Sequence, residues 1–109
     1  MAKGVGSMMK QAQTLQSKLA GIQEELAEKR VEGTAGGGVV VVTANGQQEI
    51  VGIKIDPEVV DREDVEMLED LILAAAQEAR RKSQELAEQE MQKATAGLIP
   101  PGMNLPGLI

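Results

Sequence analysis

The stretch from Gly38 to Asp56 constrains the fold more than any other part of the chain, because it reads as a β-hairpin. Two runs rich in β-branched residues, Val39 to Thr43 and Ile50 to Ile55, flank the dipeptide Asn45-Gly46. This dipeptide most easily adopts the two positive-φ positions of a type I′ turn. The sequence therefore predicts two antiparallel strands joined by a tight turn.

Alternation along the second of these strands gives the hairpin one apolar face. Val51, Ile53 and Ile55 fall on that face, and the residues between them fall on the other. An isolated two-stranded ribbon is marginal in water, so Arg30 to Thr34 is predicted to add a third strand. The rest of the chain reads as helix, which predicts an α+β fold of one helix, a three-stranded antiparallel sheet and a second helix.

The first helix is predicted to begin after Ser7, which is a suitable N-cap. Its apolar residues recur at spacings of four and three, as in a heptad seam. Two interpretations of this narrow stripe stay open: the helix packs on its own sheet, or the seam pairs with another helix. The seam residues are Met8, Ala12, Leu15, Leu19, Ile22 and Leu26.

The second helix is predicted from about Arg62 to Ala94, with an acidic start and with Gly97 and Pro100 beyond its end. Its length of roughly 50 Å exceeds the roughly 35 Å width of a compact domain of this size. Part of it must therefore protrude or lie on a partner. We expect a single domain over residues 1–96, followed by an apolar Pro- and Gly-rich tail over residues 97–109.

If the two helices pack antiparallel, with Leu26 opposite Leu68, counting residues places Lys10 and Lys18 on either side of Arg80 to Lys82. Such a cluster of cations could hold phosphate groups. Glutamates at helical spacing could instead neutralise the same cations as ion pairs. Both interpretations stay open at this stage.

The composition excludes several classes of function. The chain has no His and no Cys, so it lacks the usual zinc ligands and the commonest general base, and we expect no enzyme, metal site or cofactor. Without Phe, Trp or Tyr it has no platform for stacking bases, which favours the duplex backbone as a nucleic-acid target. The same lack limits the area that the core can bury, so association is expected.

The net charge of −6 is unevenly distributed. Residues 1–30 carry five basic and three acidic side chains, whereas residues 31–109 carry six basic and fourteen acidic ones. A local cationic patch can still act within a Debye length of about 8 to 10 Å. No stretch reads as a secretory signal or a membrane span, so a cytoplasmic protein without a membrane partner is expected.

Several motifs occur together and in order along the chain. They are Met8 to Gln13, Gly36 to Gly46, Ile53 to Pro57, Met67 to Ala75, and Gly97 to Gly102. Together they resemble the YbaB/EbfC family of bacterial nucleoid-associated proteins over essentially the whole chain. The resemblance implies an α-β-β-β-α fold, a homodimer whose long helices project like the arms of a tweezer, and binding of double-stranded DNA with broad sequence preference.

The resemblance also implies roles for particular residues. DNA contacts are expected on the projecting helices, at Lys3, Lys10, Lys18, Arg80, Arg81 and Lys82. The apolar pattern, independently of the resemblance, predicts the dimer interface on the apolar face of the hairpin and the first half of the second helix, at Val51, Ile53, Ile55, Leu68, Leu71, Ile72 and Ala75.

The expected partners are duplex DNA and a second copy of the chain, with no small-molecule substrate. The expected location is the nucleoid, with consequences for nucleoid organisation and gene expression. The alternative is an adaptor module that uses the first-helix seam and the apolar tail to bind another protein.

Overall fold

The computed structural model of the chain describes the backbone of residues 2–95 and the side chains of residues 6–94. The chain forms helix α1 (Ala2–Glu28), strands β1 (Arg30–Ala35), β2 (Val40–Asn45) and β3 (Ile50–Ile55), a 3₁₀ turn (Pro57–Val59) and helix α2 (Val65–Thr95). The three strands are antiparallel in the order β1-β2-β3. The predicted α-β-β-β-α fold is therefore confirmed. The predicted tail, residues 97–109, lies outside the described residues.

The core lies between α2 and one face of the sheet. β2 is the central strand, and its alternate residues point at the helix, where small side chains meet them. The fully buried residues of this cluster are Val40, Val42, Ala44, Ala75 and Ala79. With no aromatic residue available, the core is thin and depends on close approach of helix and strand.

Gly33 makes that close approach possible. A Cβ atom at Gly33 would overlap the carbonyl oxygen of Ala75 and the backbone nitrogen of Ala79. The helix therefore rests directly on β1 and β2, and it leaves β3 largely uncovered. Ile53, which pairs with buried Val42 and so points to the helix side of the sheet, remains 53% exposed.

The hairpin turn differs from the predicted type I′ turn. Neither Asn45 nor Gly46 has a positive φ, and Gln48 has the left-handed conformation instead, with φ of 66°. The backbone N–H of Gln48 donates to the carbonyl of Asn45, and that of Asn45 donates to the carbonyl of Glu49. This is a three-residue loop. The three-residue loop is favoured over the two-residue type I′ turn because the Asn45 side chain accepts hydrogen bonds from the backbone N–H groups of Gln47 and Glu49.

A β-bulge also changes the predicted alternation in β3. Thr43 pairs with Gly52, but Ala44 pairs with Ile50, so Val51 is an extra residue. Ile50 therefore occupies the place opposite buried Ala44 that strict alternation would give to Val51.

Both helix starts differ from the predictions. α1 begins at Ala2, so Ser7 lies inside the helix and does not cap it. The intervening Gly4 and Gly6 each cost the helix only about 1 kcal/mol relative to alanine, and no proline interrupts it. α2 begins at Val65, after Asp64, whose carboxylate accepts a hydrogen bond from the backbone N–H of Met67 in the manner of an N-cap.

The molecule is elongated, with a longest dimension of 74 Å and a radius of gyration of 20.1 Å. A compact chain of this size would have a radius of gyration of about 13 Å. At 1.5 Å per residue, α1 spans about 40 Å and α2 about 46 Å. These lengths fit a 74 Å molecule if the two helices overlap by only about two turns. Most of α1 therefore projects from the body, by which we mean the sheet together with α2.

The overlap lies at the end of α2, where Lys29 pairs with Glu90. The predicted register, which placed Leu26 opposite Leu68, is therefore wrong. The physical reason is that the sheet already occupies the apolar first half of α2, so α1 reaches only the part of α2 beyond the sheet.

We predict that Gly33→Ala destabilises the fold by about 3 kcal/mol, because the added methyl group forces α2 away from β1. The measurement is the free energy of unfolding in urea. The matched control is Gly21→Ala, which meets no atom within 4 Å and replaces a weak helix former. It should leave stability unchanged or raise it by up to about 1 kcal/mol. An unchanged unfolding midpoint for Gly33→Ala would contradict the packing described here.

Candidate nucleic-acid interface

The projecting helix is free of acidic side chains over most of its length. Residues 1–23 contain three lysines and no Asp or Glu, and Glu24 is the first acid in the chain. Residues 24–109 carry eight basic and seventeen acidic side chains, a net charge of −9. We call the acid-free part of α1, up to Gln23, the arm. The arm is positively charged, whereas the rest of the protein is acidic.

The strongest acidic cluster lies at the opposite end of the molecule. Six exposed carboxylates occur between Asp61 and Asp70, around the start of α2. The arm extends from the other end of α2, where Lys29 meets Glu90. Their separation is several times the Debye length of about 8 to 10 Å in ordinary salt, so the acidic cluster does not cancel the field of the arm.

The arm is anchored where it meets the body. Leu26 is fully buried, and its carbonyl accepts a hydrogen bond of 2.7 Å from the backbone N–H of Gly46. A Cβ atom at Gly46 would lie 2.7 Å from both that carbonyl oxygen and the Leu26 side chain, so glycine is needed here for close contact. The Gln47 side chain donates to the carbonyl of Gln23 over 2.8 Å. The hairpin turn thus contacts the inner end of the arm and fixes its position.

The same turn is fixed to α2 by a buried hydroxyl. Ser83 is fully buried; its hydroxyl donates to the carbonyl of Asn45 over 2.6 Å and accepts from the backbone N–H of Gln48 over 2.9 Å. Asn45 in turn donates from its amide to the carboxylate of Glu49. The turn therefore contacts both α2 and α1, and it sets the angle at which the arm leaves the body.

An ion pair adds a further contact where the end of α1 meets the end of α2, a region that we call the joint. The Lys29 ammonium lies 2.9 Å from the Glu90 carboxylate, which Lys93 approaches at 3.7 Å. The hydrogen bond from Lys29 lowers the pKa of Glu90, and the positive charges of Lys29 and Lys93 act in the same direction.

The predicted cations of α2 have mostly local partners. Arg81 pairs with Glu85 at 3.1 Å, and Lys82 pairs with Glu78 at 3.1 Å while donating to the carbonyl of Glu32 in β1. The hydrogen bond from Lys82 lowers the pKa of Glu78. Arg80 is exposed and forms no ion pair among the described residues.

The structure does not bring the predicted DNA contacts into one patch. Lys10 and Lys18 are exposed on the projecting part of α1, and the Lys3 side chain lies outside the described residues. Arg80 is about 15 Å from the Lys29–Glu90 joint along α2, toward the sheet, whereas Lys18 is about 16 Å from it along the arm. The bracketing of Arg80 to Lys82 by the two lysines, predicted from the helix register, is therefore wrong.

The predicted interface residues fall into three classes of accessibility. Ala75 is fully buried in the core of its own chain. Ile55, Leu68, Leu71 and Ile72 are half-buried against that core. Val51 and Ile53 are about half exposed on the uncovered strand, next to Ile50 at 45%.

Sequence reasoning missed the anchoring residues Gln47, Ser83 and Glu90. Their partners are between 24 and 61 residues away along the chain, so no local pattern could pair them. It also divided the charges at residue 30, which hid the acid-free arm; a division before Glu24 would have found it.

Other kinds of site are not formed by the described residues. Within residues 6–94, no group of three Asp or Glu side chains is arranged to hold a metal ion. Neither of the two long helices, as far as the structure describes them, is sufficiently apolar to cross a lipid bilayer.

Residues 1–98 match the YbaB/EbfC DNA-binding family. The chain is similar to a nucleoid-associated protein of Syntrophobacter fumaroxidans, with 54% identity over 108 residues covering 99% of this chain and 97% of the relative. A nucleoid-associated protein of Moorella thermoacetica is 59% identical over 98 residues, covering 90% and 94% of the two chains. The crystal structure of an uncharacterized protein, HP0035, from Helicobacter pylori shares the fold, with a TM-score of 0.60, 19% identity and coverage of 88% and 94%.

We predict that the Lys29–Glu90 pair makes the joint sensitive to acid. Because the folded-state pKa of Glu90 is lowered, its contribution to stability is present above the unfolded pKa of about 4.3 and is lost as the pH falls through the folded value. The measurement is the free energy of unfolding between about pH 3 and pH 6. Glu90→Gln should lower stability near neutral pH and flatten its fall in acid. The exposed control Glu88→Gln should keep the wild-type profile, and an unchanged profile for Glu90→Gln would contradict the pairing.

Proposed function

Because this chain belongs to the YbaB/EbfC DNA-binding family, we propose that it binds double-stranded DNA as a homodimer, through the phosphate backbone and with broad sequence tolerance. The observation that carries the proposal is the acid-free, lysine-bearing arm that projects from an acidic body. The relatives that are called nucleoid-associated proteins support a location at the nucleoid, in the cytoplasm. Effects on nucleoid organisation and gene expression would follow from coating or bridging DNA there.

The arm has the reach and charge for contacts with a duplex backbone. Lys3 and Lys18 are about 22 Å apart along a straight helix, which is about two-thirds of one turn of B-form DNA. Lysine ammonium groups at this spacing can neutralise phosphates, and such contacts position a protein without reading the sequence. The exposed side chains near Lys10, such as Gln13 and Ser17, are uncharged and do not repel the duplex.

The cations of α2 are assigned a smaller role. Arg81 and Lys82 must give up or share a carboxylate before they can contact phosphate, whereas Arg80 needs no such exchange among the described residues. Because these cations lie nearer the sheet, they would contact DNA only at the base of the arms. Lys3, Lys10 and Lys18 are therefore proposed as the main contacts, with Arg80 as an addition.

The uncovered side of the sheet supports the proposed homodimer. Strand β3 is an unpaired edge, and its apolar residues Ile50, Val51 and Ile53 are about half exposed because α2 covers β1 and β2. Exposed apolar patches rimmed by polar residues often mark sites of contact between proteins. A second copy seated on β3 and the neighbouring side of α2 would bury them and give the dimer two arms, each of which could contact the same duplex.

We predict that changing Lys3, Lys10 and Lys18 together to Gln weakens binding to a mixed-sequence duplex by at least about tenfold. The log–log dependence on salt should flatten by about 0.9 for each phosphate that the variant no longer neutralises. The measurement is fluorescence anisotropy at several salt concentrations. The matched control removes the same charge from α2, by changing Arg80, Arg81 and Lys82 to Gln, and should weaken binding less. A greater weakening by the α2 variant would contradict the assignment to α1.

For the dimer, we predict that Ile53→Asp converts the protein to monomers, because it places a charge in an apolar interface. Light scattering gives the oligomeric state directly. Val60→Asp is the control, since Val60 is similarly exposed, at 58%, but follows the 3₁₀ turn and lies outside the strand. A wild-type monomer, or an Ile53→Asp variant that remains a dimer, would overturn this interface.

A further inference from the structure

The apolar seam of α1 continues beyond the part of the helix that α2 covers. Leu26, at its inner end, is fully buried at the joint. Going outward, Ile22, Leu19 and Leu15 are half-buried, and Met8 is 70% exposed. We call the residues Met8, Ala12, Leu15, Leu19 and Ile22 the outer seam.

The described part of α2 is too short to pack against the outer seam. Lys29 lies level with Glu90, and α2 extends only five residues further, to Thr95. For helices that pass side by side in opposite directions, Thr95 lies level with about residue 24 of α1. The chain after Thr95 therefore starts where α1 loses its helical partner, at the inner edge of the outer seam.

The sequence of that remaining segment fits an apolar surface such as the outer seam. Residues 96–109 contain no charged side chain and six large apolar ones: Leu98, Ile99, Met103, Leu105, Leu108 and Ile109. Pro100, Pro101 and Pro106 oppose a continuous helix and favour extended conformations. In that form the segment reaches about 43 Å, whereas the outer seam spans about 21 Å. It can therefore follow the seam along its whole length.

We propose that residues 98–105 lie in extended form on the outer seam of α1 of the same chain, running from Ile22 toward Met8. The chain would then supply its own cover for an apolar stripe that would otherwise favour aggregation. At 100° per residue, Lys10 lies on the side of α1 opposite the seam and Lys18 lies at its flank, so the docked segment leaves Lys10 free. This inference does not depend on DNA binding.

The test uses disulfide trapping in the full-length protein, which has no natural Cys. Gln11→Cys places a thiol at the flank of the outer seam, and Asn104→Cys places one in the tail without removing an apolar residue. Gln11 is about 20 Å outward from the level of Thr95, and nine tail residues in extended form reach about 28 Å. The matched control pairs Asn104→Cys with Gln13→Cys, which lies on the opposite side of the same turn of helix.

Oxidation is followed on a non-reducing gel, on which an intramolecular bond changes monomer mobility and an intermolecular bond gives a covalent dimer. We expect the Gln11→Cys, Asn104→Cys pair to close within one chain on the order of tenfold faster than the control pair. Equal rates for the two pairs would show that the tail does not occupy the seam. Covalent dimers of the double variant would assign the seam to the partner's tail. Rapid dimers of Gln11→Cys alone would show two seams packed together, and either kind of dimer would overturn the proposal.

Discussion

The contact of Gly33 with the backbone of α2 is the constraint on which the rest of the structure depends. It lets α2 rest directly on β1 and β2, where Ala75 and Ala79 fill the space that larger side chains would need. A core without aromatic residues gains its stability from this density of packing. The same placement leaves β3 uncovered and sends the second half of α2 past the end of the sheet. The exposed edge at β3 is thus a consequence of this close contact.

The hairpin turn connects the arm to the rest of the protein, because it contacts both α1 and α2. Asn45, Gly46 and Gln47 contact α2 on one side and α1 on the other, through the Ser83 hydroxyl, the Leu26 carbonyl and the Gln23 carbonyl. The Lys29–Glu90 pair adds a second link between the helices. Because these contacts lie at one end of α1, the body orients the arm without covering it. That arrangement separates a cationic arm from an acidic body in a chain whose net charge is −6.

The order of elements could be predicted from the sequence because it rests on local signals: β-branched runs at Val39 to Thr43 and Ile50 to Ile55, and apolar spacing in the helices. The turn type could not, because the choice between two hairpin loops depends on the side-chain bonds of Asn45 and on the contact of Gly46 with Leu26. The predicted register of the two helices was wrong for a related reason. It assumed that the apolar half of α2 faced α1, whereas the sheet occupies that half. The sequence placed Lys10 and Lys18 on the first helix, but their distance from Arg80 to Lys82 depends on the register of the two helices.

The central claim is that the lysines of α1 contact the duplex, and amine footprinting of the unmodified protein tests it most directly. The protein is acetylated briefly with and without a mixed-sequence duplex, and the modification of each lysine is measured by mass spectrometry. We expect DNA to protect Lys3, Lys10 and Lys18, while Lys54 on β3 and Lys93 near the end of α2 keep their reactivity. Protection of Lys54 or Lys82 with full reactivity at Lys10 and Lys18 would contradict the claim.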